Sequence, residues 1–140
     1  MSNPALNVMI VEDTTMIRML VTALFQKHGF TVTSYKNSDE AAIALGLDEQ
    51  KSAVREDVKP DLIVSDFDMP PHMTGLQLLL KVKNSPRWKE VPFVIMSAEG
   101  GSERAESCLR EGAKEYVVKP LKDNDVVRLK EYILELRAAA

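Results

Sequence analysis

The chain has 140 residues, 45% of them hydrophobic and 28% charged, with 7 prolines and 6 glycines, which fits a single domain over residues 1–140 with one core and argues against intrinsic disorder. Its 18 basic and 21 acidic residues sum to −3 with the signs interspersed, so no basic field favours direct nucleic-acid binding. The single Cys108 cannot form an internal bridge, no apolar run approaches the ~20 residues of a membrane helix, and the start MSNPALN lacks a basic segment followed by an apolar one. The expectation is an intracellular protein, cytoplasmic or nuclear, with no membrane attachment and no room for a second, output domain.

Residues 7–11 (NVMIV) form an apolar run that stops at Glu12 and Asp13, the pattern of a strand buried on both faces. Ile17, Leu20, Val21, Leu24 and Phe25 then recur at helical spacing, which predicts a helix from Thr14 or Thr15 to His28, with Gly29 at its left-handed end. Residues 30–35 read as a weaker, Thr-rich strand, and Ser38-Asp39-Glu40 as the cap of a short helix through Leu45. The polar stretch 46–60 is long for a connection, and is expected to be a mobile loop or a helix end.

Residues 62–65 (LIVS) are a third strand ending at Asp66, followed by a turn-rich segment and by a helix marked by Leu76, Leu79 and Leu80 that runs to about Asn84. Phe93 opens a fourth strand that closes at Met96 or Ser97. The helix begun at Ser102 carries few apolar residues (Ala105, Cys108, Leu109) and should leave most of its surface exposed. EYVV at 115–118 is the fifth strand, and Val126, Leu129, Ile133 and Leu136 give the last helix its buried face, with the final three alanines frayed. The methionines, Met16 and Met19 included, read as core or rim filling.

Buried-type strands alternating with helices predict an α/β fold: a doubly wound, five-stranded parallel sheet of order 2-1-3-4-5 with five helices, flavodoxin-like in its winding. In such a sheet ligands sit outside the carboxyl ends of the strands where the winding reverses, here between strands one and three. Glu12, Asp13 and Asp66 should therefore converge, with Ser97 and Lys119 arriving from strands four and five. Three adjacent carboxylates repel one another unless a cation neutralises them. An all-oxygen donor set suits a hard ion, Mg²⁺ or Mn²⁺, completed by a backbone carbonyl and waters. Lys119 can pair with Asp66, and can hold a phosphoryl oxygen if that carboxylate becomes an aspartyl phosphate.

Glu12-Asp13 after strand one, Asp66-Phe67-Asp68-Met69-Pro70 after strand three, Ser97-Ala98 after strand four and Lys119-Pro120 after strand five together resemble the receiver domain of response regulators in two-component signalling, the CheY-like family, over essentially the whole chain. The resemblance implies that Asp66 is the phosphoacceptor, that Asp13, Asp66 and the backbone carbonyl of Asp68 bind Mg²⁺, and that Glu12 acts through water. It implies that Ser97 and Lys119 bond phosphoryl oxygens, that Pro120 is a cis proline, and that Tyr116 swings inward when Ser97 turns toward the phosphoryl group. The loop Met69-Pro70-Pro71-His72-Met73-Thr74-Gly75 is one residue longer than the family's M-P-x-M-x-G; its His72, as a lone exposed loop histidine, is assigned no role. Glu99 and Asp68 stand where they should influence phosphoaspartate lifetime, in a direction the sequence leaves open.

MTGLQLLLKVKNS, VPFVIMSAE and CLREGAKEYVVKPLKDNDVVRLK further resemble the single-domain regulators of plant cytokinin signalling. That implies a histidine phosphotransfer protein or histidine kinase as donor, and a downstream protein partner on the fourth helix, fifth strand and last helix. Three other readings stay open. Asp66-Phe67-Asp68 also satisfies the D-x-D of haloacid-dehalogenase-like phosphatases, although Met69 replaces the usual Thr or Val and the acidic pair precedes the motif. A nucleotide or flavin binder lacks GxxxxGK or GxGxxG here, and a phosphorylation-independent binding module would not need the full site.

Overall fold

Alternate residues of the central strands enter two separate cores, one on each face of a parallel sheet, and this is why those strands read as unbroken apolar runs. In the computed structural model, which describes residues 5–48 and 59–140, the elements are β1 (Leu6–Val11), α1 (Thr15–Lys27), β2 (Phe30–Tyr35), α2 (Ser38–Ala44), β3 (Leu62–Asp66), α3 (Gly75–Lys83), β4 (Phe93–Ser97), α4 (Ser102–Arg110), β5 (Glu115–Val118) and α5 (Asp123–Ala139). The strand order is β2-β1-β3-β4-β5, all parallel, as the alternation predicted. The expectation of mobility at 46–60 falls mostly on 49–58, outside the described residues.

Met9, Val11, Ile63, Phe93 and Ile95 pack with Ala41, Leu78, Leu79, Val82 and Cys108 beneath α2, α3 and α4. Val8, Ile10, Leu62, Val64, Val94 and Met96 pack with Val21, Phe25, Val126 and Leu129 beneath α1 and α5. The edge strand β2 has only Phe30 fully buried, which is why its sequence mixes Thr with apolar residues.

Several packing expectations are corrected. Leu20, Leu80 and Leu136 are exposed, as are Met16 and Met19. Each helix meets the sheet along a stripe narrower than its apolar spacing suggested: Val21 and Phe25 on α1, Leu78, Leu79 and Val82 on α3, and Val126, Leu129 and Ile133 on α5. Asn37, not Ser38, caps α2, its side chain accepting from the Glu40 N–H at 2.9 Å. Ser38 is buried instead and donates to the Met73 carbonyl at 2.7 Å, tying α2 to the loop after β3. Ala138 and Ala139 belong to α5. On α4 only Cys108 is buried, so that helix is the exposed one the sequence anticipated.

Candidate functional site

Parallel register brings the carboxyl ends of β1, β3, β4 and β5 to one edge. Val11 pairs with Ser65, Asp66 with Met96 and Ser97 with Val118, and the Lys119 N–H donates to the Ser97 carbonyl at 2.8 Å. Glu12, Asp13, Asp66 and Lys119 are thus the last strand residue or the first one or two beyond it, and they share a small basin. Carboxylate oxygens of Glu12, Asp13 and Asp66 lie within 4.8 Å of one another. The Lys119 Nζ sits among them, 2.8 Å from Glu12 Oε1 and 3.1 Å from Asp66 Oδ1.

Glu12 and Asp66 are buried, and Asp13 is exposed at the rim. Burial pushes the Glu12 carboxyl up to about 8, with Asp66 adding to the push and Lys119 opposing it. Asp13 is raised by the same two causes, burial and then Asp66. Burial disfavours the charge on Lys119, but hydrogen bonds to Glu12 and Asp66 outweigh it and lift its pKa. Among the described residues, Glu12 Oε2 is the buried side-chain oxygen with no partner. An orphaned carboxylate oxygen beside two further carboxylates fits a hard divalent cation, held directly or through water.

Gly75 abuts the floor: its N–H donates to the Phe67 carbonyl at 2.8 Å, and an added Cβ would collide with the Asp66 carbonyl oxygen. Thr74 and Gln77 form a capping box that starts α3 there, at 3.1 and 2.8 Å. The Lys119–Pro120 bond is cis, and so is Pro70–Pro71 within the lengthened loop.

A match to the model of the response regulator receiver domain runs over residues 8–130. The chain belongs to this family. The receiver domain is 41% identical over 134 residues to the two-component response regulator ARR15 of Arabidopsis thaliana, covering 95% of this chain and 65% of that protein. It is 42% identical over 128 residues to ARR3 of the same plant, 91% and 55% covered, and 39% identical over 133 residues to ORR8 of Oryza sativa subsp. japonica, 95% and 100% covered. It therefore spans about two thirds of ARR15 and about half of ARR3. In fold it is similar to the chemotaxis response regulator CheY4 of Vibrio cholerae, with a TM-score of 0.76 and 23% identity over 93% of this chain and 99% of that one. The family places the chain in two-component signalling through aspartate phosphorylation, and the phosphatase and phosphorylation-independent binding-module readings are not favoured.

Ser97 is buried beside this basin, and its Oγ accepts from the Glu99 N–H at 3.1 Å and from Arg104 at 3.4 Å. Tyr116 is half-buried against the α2–α3–α4 core and donates its hydroxyl to the Glu99 carbonyl at 2.5 Å. Asp68 lies on the outer rim, its carboxylate 3.1 Å from Arg104. Sequence reasoning missed Arg104, which reaches Asp68, Glu99 and Ser97 together and lies over the Phe67 ring at 3.9 Å. Its only sequence signal was a basic residue in the first turn of α4, an electrostatically unfavourable place that calls for a nearby acidic partner. His72, assigned no role, pairs through Nδ1 with Asp39 on α2.

Proposed function

We propose that residues 1–140 act as one phosphorelay switch: Asp66 accepts a phosphoryl group from a phosphohistidine donor in a Mg²⁺-dependent reaction, and the partner-binding surface changes in response. The observation that carries this is the buried Asp66 carboxylate, with Lys119 at 3.1 Å and two further carboxylates within 4.8 Å, in a chain of the receiver family. Asp13, Asp66 and the Asp68 backbone carbonyl would hold Mg²⁺, or Mn²⁺, directly, and Glu12 through water. The bound cation would neutralise the carboxylates and polarise the incoming phosphoryl group. Lys119 and Ser97 hold phosphoryl oxygens, spreading the charge that develops during in-line transfer.

Ser97 and Tyr116 form the switch, because both are joined to the β4–α4 loop through Glu99. A redistribution of these bonds on phosphorylation alters the surface of α4, β5 and α5, where Leu109, Val118 and Val127 expose apolar area suited to a downstream partner. The donor is a histidine phosphotransfer protein or a histidine kinase. Exposed Met16, Met19 and Leu20 follow Asp13 on α1, beside a groove of about 310 Å³ lined by Leu20, Lys119 and Pro120, and offer it apolar docking area. The likeness to plant two-component response regulators supports a place in cytokinin-type phosphorelays; residence in the cytoplasm or nucleus is part of the proposed reading, and no described helix is long and apolar enough to cross a membrane. No separate substrate is turned over.

Intact mass after incubation with acetyl phosphate and Mg²⁺ tests this reading. A labile gain of one phosphoryl group (~80 Da), lost with chelator and in Asp66→Asn, is the expected result. Continuous phosphate release with no dependence on Asp66 would overturn it.

A further inference from the structure

Arg104 is the one described cation that joins both rims of the mouth. Its guanidinium lies 3.1 Å from Asp68 Oδ2 on the β3–α3 loop and 3.1 Å from Glu99 Oε2 on the β4–α4 loop. It also donates to Ser97 Oγ at 3.4 Å and stacks over Phe67 at 3.9 Å. The stacking and the planar fork favour a guanidinium that engages both carboxylates at once, which a point-charge ammonium does poorly. The Asp68 and Glu99 side chains are otherwise 64% and 60% exposed, so without Arg104 little would hold either carboxylate in place.

We propose that Arg104 is a positioning residue that sets the lifetime of the aspartyl phosphate by holding the Asp68 carboxylate, with Glu99 as its anchor on the opposite rim, away from the path of attacking water. The inference rests on phosphorylation of Asp66. In hydrolysis, the water oxygen bonds to phosphorus, and the bond from phosphorus to the Asp66 carboxylate oxygen breaks with its electron pair returning to the carboxylate. The water proton leaves to a base, and inorganic phosphate departs. A free Asp68 carboxylate, two residues from the acceptor, can orient that water and take its proton; one claimed by Arg104 cannot do so efficiently. Arg104 thus restrains the group best placed to assist hydrolysis, and joins α4 to the chemistry through a contact that can exchange.

The test follows decay of the phosphorylated full chain by intact mass, after removal of acetyl phosphate in Mg²⁺ buffer, for wild type, Arg104→Ala, Arg104→Lys and Arg104→Ala/Asp68→Asn. The expected result is decay about tenfold faster for Arg104→Ala, below the full range of general-base assistance, with partial recovery in Arg104→Lys. The double variant should decay near the wild-type rate, because the freed carboxylate is gone. Melting temperature should move by no more than a few degrees throughout, which a merely structural role would not combine with altered decay. An Arg104→Ala rate equal to or below wild type overturns the inference, as does a double variant that decays as fast as Arg104→Ala. A wild-type chain that takes up no phosphoryl group overturns the phosphorylation reading, and this inference with it.

Discussion

The floor and the rim of the basin use the same chemistry to opposite ends. On the floor, Lys119 lies between Glu12 and Asp66 with little solvent access, and one oxygen of Glu12 has no partner. On the rim, Arg104 lies between Asp68 and Glu99, both largely in water. Buried charges are costly to separate and respond strongly to a cation or a new anion, whereas exposed pairs are cheap to break and re-form. The floor is therefore suited to binding and chemistry, and the rim to adjustable control.

Removing the floor's cation should separate the two regions most sharply. Lys119→Ala leaves the buried acidic pair Glu12 and Asp66 without its cation and should lower stability in chelator by about 3 kcal/mol, read from urea unfolding midpoints. Mg²⁺ works in the opposite direction: at a free concentration 100 times its Kd it should add about 2.7 kcal/mol, and in Asp13→Asn that gain should shrink.

Acidity gives the same comparison a sign. Glu12 takes a proton near 4.5 when unfolded and near 8 in the fold, so across that window unfolding releases a proton. Stability in chelator should fall as pH rises from about 4.5 to about 8 and level off beyond, and the raised Asp13 adds to the fall at the acidic end. Mg²⁺ competes with that proton, so the gap between Mg²⁺ and chelator unfolding curves should widen over the same range. A gap that stays constant would mean that Glu12 is not linked to the cation.

Gly75→Ala tests how closely α3 abuts the floor. Its Cβ would meet the Asp66 backbone, which is not a flexible side chain, and should cost about 2 kcal/mol by thermal or urea unfolding, with slowed phosphorylation. The smallest effect belongs to the rim: Arg104→Ala should stay within about 1 kcal/mol of wild type, even where decay of the phosphoryl group changes.

The sheet was legible because burial on both faces writes itself as short apolar runs, and the acidic residues that end those runs mark the crevice. Helix faces were less so. Leu20, Leu80 and Leu136 share helical spacing with buried neighbours, but a helix lying on a sheet covers only a narrow stripe, and its width depends on how the helix is rotated. Asn37 was passed over as a cap because Ser38, also a good capping residue, follows it directly; only the placement of α2 against Met73 turned Ser38 inward. His72 looked idle because its partner Asp39 is 33 residues away in sequence.

By itself, the sequence determined the strand order, the acid pair, the acidic strand end, the hydroxyl and the lysine at the strand ends, since alternation and strand-end chemistry are local properties read along the chain. Tertiary structure decided which charges meet. Arg104 is 36 residues from Asp68 and Lys119 is 107 from Glu12, and contacts at such separations are set by the packing of α4 on the sheet and the pairing of β5 within it rather than by any local pattern.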